Sequence, residues 1–122
     1  IHHHARILIL GYKHVGRGLD YYDENKLDIE SNINYLRTHI DRIIEGTELC
    51  SFDNLALEQL NVKAQIPQET WDTYYMGDDG STTFYVDLVT KEFAKSSSSI
   101  KRYAIKDFNC MSMFNFIQRK EK

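Results

Sequence analysis

DIESNINYLRTHIDRIIEG, residues 28–46, is the stretch on which the fold reading turns. Ile29, Ile33, Leu36, Ile40 and the pair Ile43/Ile44 recur at helical spacing and make one apolar stripe. Glu30, Asn32, Asn34, Arg37, Thr38, Asp41 and Arg42 fall mostly off that stripe, on a face turned to water. Asp28 can cap the first turn through its carboxylate, and Gly46 stands where a left-handed C′ residue is wanted. The pattern predicts the main helix over about 28–46, with an apolar face that a sheet or other helices must cover. It carries no chemistry.

Working outward, composition narrows the class. A chain of 122 residues suits a single domain, 1–122, with one core of its own. An apolar share of 42% with 12% aromatics excludes wholesale disorder, and one Pro with six Gly argues against linkers. Cys50 and Cys110 lie far apart with no CxxC and no ligand cluster, so a reduced, cytoplasmic protein with two buried thiols is expected. No apolar run approaches the ~18 residues of a membrane span, and the start lacks a signal-peptide core. The net charge of −3 conceals an asymmetry. From Asp20 to Glu58, ten acidic residues face Lys26, Arg37 and Arg42, a net −7; from Lys91 to Lys122 the balance is +5. An acidic face suits a basic partner.

At the N-terminus, His2, His3 and His4 read as the remnant of a purification tag rather than a metal tract. Residues 6–10 follow as a short buried strand, because Ile7, Leu8, Ile9 and Leu10 are uninterruptedly apolar. ARILILGYKHVGRGL, residues 5–19, then resembles the first βα turn of Rossmann dinucleotide-binding proteins through Gly11, Gly16 and Gly18. The second glycine position of that fingerprint is occupied by Lys13, whose side chain would fill the phosphate's space. The stretch DYYDEN, residues 20–25, reads as a polar loop or single turn. A glycine-bearing loop leaving the strand is therefore expected, and no cofactor.

Beyond the main helix, residues 47–61 carry a weaker helical pattern. Asp53 or Ser51 caps it, and Leu55, Leu57 and Leu60 supply its contacts. Pro67 suits a first helical position, and PQETWDTYYM forms a short helix closed by Gly77. Asp78, Asp79, Gly80 and Ser81 are a turn by chemistry. Residues 82–89 form the best strand, with Phe84, Val86 and Leu88 on one face and Thr83, Tyr85 and Asp87 on the other. Thr90 and Lys91 turn it into a hairpin. Four serines, 96–99, make a flexible loop, and residues 100–105 a third strand with Tyr103 and Ile105 inward and Lys101, Arg102 and Lys106 exposed. Asp107 caps a closing helix through Phe108, Met111, Phe114 or Met113, and Ile117, preferred to a strand through MSMFNFI; 118–122 is a frayed tail. The order of one strand, then helices, then strands predicts an α+β single domain, the main helix packed on a mostly antiparallel sheet.

The catalytic inventory is thin. His14 and His39 have no nucleophile in elbow context beside them, and His39 suits a partly buried structural role. Asp78, Asp79 and Asp87 lack calcium-loop spacing, and no metal is expected. IPQETWDTYYMGDDGSTTFYVDLVTKEF, residues 66–93, resembles the strand-turn-strand portion of SUKH domains: a prolyl-aromatic segment, a glycine turn, a "VDL" strand and a short turn onward. The resemblance implies an immunity protein that binds and neutralises a toxin. The bottom-up expectation agrees. It is a non-enzymatic inhibitor of a basic, nuclease-type protein toxin, with no nucleic acid or membrane partner. The surface expected to bind comprises Asp20, Tyr21, Tyr22, Asp23 and Glu24 with Trp71, Asp72, Tyr74, Tyr75, Asp78 and Asp79. The competing expectation is a phosphate- or nucleotide-binding domain or enzyme using residues 11–18 with Lys13, His14 and Arg17.

Overall fold

In the computed structural model, which describes residues 4–121, the helix expected from residue 28 starts at Arg17. Helix α1 runs Arg17–Thr38 with a kink at Asn25, and α2 follows as Ile40–Glu45. The segment expected as a polar loop, 20–25, is therefore helical. Its inner positions explain why it escaped the pattern. Half-buried or buried residues recur at 18, 22, 25, 29, 33 and 36, a continuous helical face. The first three are Gly18, Tyr22 and Asn25 instead of aliphatic residues. At the kink, where Asn25 has φ −126° and ψ 24°, its side-chain amide donates to the Tyr21 carbonyl at 2.9 Å. The break at His39 also has local causes. Thr38 Oγ1 donates to Tyr35 O at 3.0 Å, and His39 N reaches only to Leu36 O. Asp28 is inside α1 instead of capping it; Gly46 does close the helical run, as the C-cap of α2, but in a right-handed conformation (φ −83°) instead of the expected left-handed one.

The chain divides into two compact units, Ile1–Tyr75 and Met76–Lys122. In the first, β1 (Arg6–Ile9) pairs in parallel with β2 (Leu49–Phe52), with Ile7 opposite Cys50 and Ile9 opposite Phe52. Strand β2 lies within residues 47–61, where the apolar spacing predicts helix; pairing with β1 overrides that local pattern. Strand β1 is not buried throughout. Its exposure alternates, and Leu8 and Leu10 are 61% and 65% exposed. Helix α3 (Asn54–Gln59) leads into a 3₁₀ turn, Val62–Gln65, and then α4 (Gln68–Tyr74) after Pro67. The core gathers Ile40, Leu60 and Val62, with Ile9, Phe52, Ile33, Leu36, Leu57 and Ile66 against them. The stripe of the main helix is thus covered by the inward face of the parallel pair and by α3.

In the second unit, β3 (Tyr85–Asp87), β4 (Glu92–Ala94) and β5 (Tyr103–Ala104) form an antiparallel sheet in that order. Helix α5, Cys110–Lys120, is capped by Asn109, whose side chain accepts from Ser112 N at 3.0 Å, and not by Asp107. It continues through residues expected as a frayed tail, and Gln118 donates to the Gly80 carbonyl. The core is Phe93, Met113 and Ile117 with Phe84, Val86, Tyr103, Ile105 and Phe116. Leu88, Phe108 and Met111, expected inside, are exposed. The turn at 78–81 closes as expected, with Ser81 N on Asp78 O at 3.0 Å and Gly80 at φ 81°. The serine loop is more ordered than its composition suggested. Ser96 N bonds Ser99 Oγ, and Arg102, expected exposed, is half-buried and donates to Ser97 O and Ser99 O. The architecture is α+β, as expected: one long helix among shorter ones and strands that are mostly antiparallel. The main helix, however, packs on the parallel pair of the first unit, and the antiparallel sheet belongs to the second. The tag expectation falls largely on residues outside the described range; His4, within it, is exposed, 4.0 Å from Glu48.

Candidate interaction surface

The first half of α1 is the most distinctive surface of the first unit. The chain leaves β1, crosses residues 10–15 and is redirected at Gly16, whose φ 55° and ψ −132° suit a type II′ turn closed by Gly18 N on Val15 O at 3.0 Å. Helix α1 then presents Asp20, Tyr21, Asp23 and Glu24 outward within two turns, all exposed, Tyr21 by 57%. Asp20 lies three and four residues from Asp23 and Glu24, so like charges stack on one face, a mild cost to the helix. Among the described residues none of the three forms an ion pair. Asp20, in the first turn, does complement the helix dipole.

Tyr22 does not join that face. It is half-buried, its hydroxyl donates to Glu30 Oε1 at 2.6 Å across the kink, and its ring meets His14 edge-on at 4.2 Å. The Glu30 carboxylate and partial burial push the Tyr22 hydroxyl above the ordinary tyrosine range. Beyond the kink, Leu27 is 82% exposed. This apolar group was missed, because a leucine near helical spacing reads as core and only the tertiary cover reveals otherwise.

On α4 the expected residues separate into two roles. Trp71 and Tyr75 are half-buried and stacked on each other at 4.5 Å, with Lys63 Nζ 5.5 Å from the Trp71 ring. Tyr74 is 75% exposed, and Asp72 accepts from Gln68 Nε2 at 2.8 Å. Asp78 and Asp79 are exposed in the turn of the second unit. Asp20, Tyr21, Asp23 and Glu24 are brought together by one helix. The α4 group makes a second patch.

The glycine loop has its own construction. Gly11 N donates to Asp53 Oδ1 at 2.9 Å, and Tyr12 exchanges two bonds with the Gln59 side-chain amide at 2.8 and 2.9 Å. A Cβ on Gly11 would strike Leu55 and Ala56 N, and one on Gly18 would strike Lys13 O. These glycines are accounted for by close backbone approach to α3 and within the loop. The first two amides, which a phosphate-cradling loop would leave open, are engaged by side chains of α3 and its cap, one of them a carboxylate. Lys13, His14 and Arg17 are exposed around this loop, His14 packed against Tyr12 and Tyr22.

Among the described residues, no group of three or more His, Cys, Asp or Glu side chains is placed to hold a metal. Cys50 is half-buried, its thiol pushed up by burial, whereas Cys110, expected inside, is exposed. His39 is half-buried as expected; its ring stacks on Tyr35 at 4.2 Å and its Nδ1 lies 2.7 Å from Tyr35 O. No described helix is long and apolar enough to cross a membrane. No family model, curated protein or solved structure matches the chain.

Proposed function

We propose that this chain is a small, non-catalytic protein inhibitor of the immunity type, acting in the cytoplasm and binding a basic, nuclease-type protein toxin in fixed stoichiometry. One observation carries the reading: Asp20, Asp23 and Glu24 stand together on α1 without an ion pair among the described residues, beside exposed Tyr21. Carboxylates gathered at a cost to their own helix suit a partner that supplies the opposite charge. Nuclease surfaces that hold nucleic acid are basic, so an acidic face competes for the same ground and accelerates encounter. Tyr21 supplies the amphipathic anchor that charge alone lacks, with Leu27 nearby. The resemblance of residues 66–93 to SUKH domains supports the same reading, and Tyr74 on α4 adds an exposed aromatic.

The test begins with capture of a stoichiometric partner by the tagged chain, followed by stopped-flow association at low and physiological salt. The variant is Asp20→Lys/Glu24→Lys. Slower association in the variant, with a difference that shrinks as salt rises, supports the acidic face. Salt-independent association at an unaltered rate overturns it.

A further inference from the structure

We draw no further inference here: the strongest candidate, the apolar cleft between β5 and α5 floored by Phe93, Tyr103, Met113 and Phe116, carries nothing, because Lys106 on its rim is offset by Asp107 and nothing in the structure shows what covers it.

Discussion

The carboxylate of Asp53 holds the backbone N–H of Gly11 at 2.9 Å, joining the loop that leaves β1 to the start of α3 across 42 positions of sequence. The same oxygen accepts from Ala56 N at 2.7 Å as the N-cap of α3. One side chain thus terminates a strand and starts a helix. Asp53→Ala removes both bonds and leaves two donors unsatisfied. The expected loss is about 2–3 kcal/mol in urea unfolding, combining a cap with a partly buried hydrogen bond. Asp53→Asn keeps the accepting oxygen and should recover more than half. Equal losses in both variants would show that charge, and not geometry, carries the contact.

The apolar stripe should be graded along its length. Ile40 is 1% exposed and belongs to the innermost cluster, so Ile40→Ala should cost ~2–5 kcal/mol. Ile33 is only half-buried at the edge of that cluster, and Ile33→Ala should cost roughly half as much. Indistinguishable urea midpoints for the two variants would contradict this placement.

Gly16 tests the start of α1. Its φ 55° and ψ −132° lie where L-residues are strained, while the space around it is open. Gly16→Ala should therefore cost about 1–3 kcal/mol from backbone strain alone, with added exchange at the amides of 18–21. A neutral substitution would mean that the chain enters α1 by a different turn.

Asp87 should make the second unit acid-sensitive. Its carboxylate accepts from Thr90 N at 3.1 Å and Val89 N at 2.9 Å and lies 3.7 Å from Arg102, and these hold it below the ordinary carboxylate range, Thr90 contributing most. A depressed folded value favours folding above the unfolded value, and that contribution disappears as pH falls through the folded one. The protection of the Phe93 and Ala94 amides, relative to the intrinsic exchange rate at each pH, should fall below about pH 4, and less steeply in Asp87→Asn. Parallel profiles would assign the acid lability elsewhere.

Tyr22 gives the opposite sign. Its hydroxyl is raised above its usual range first by donating to Glu30, so its contribution is complete below the unfolded value and is lost as pH climbs through the folded one. Tyr22→Phe should weaken α1 around Asn25 at neutral pH and flatten its alkaline loss of helicity, read by circular dichroism. Unchanged helicity at both pH values would show that the bond to Glu30 does not brace the kink.

Short-range chemistry alone dictates several features of this chain. The Ile29–Ile40 stripe must be helical and buried on one side, DDGS must turn, Thr90 and Lys91 must close a hairpin, and Asp53 is a cap wherever a helix follows it. Other features depended on what lies across space. DYYDEN became helix because Gly18, Tyr22 and Asn25 complete an inner face that aliphatic patterning cannot register. Leu49–Phe52 became a strand because β1 offered a parallel partner, a pairing that leaves no local period. Leu8 and Leu10 read as core in the sequence, yet burial is a property of the neighbour and not of the residue. The candidate surface divides the same way. Its acidic residues were legible from composition, whereas tertiary contacts decided that Tyr22 and Trp71 turn partly inward while Tyr21 and Tyr74 remain outside.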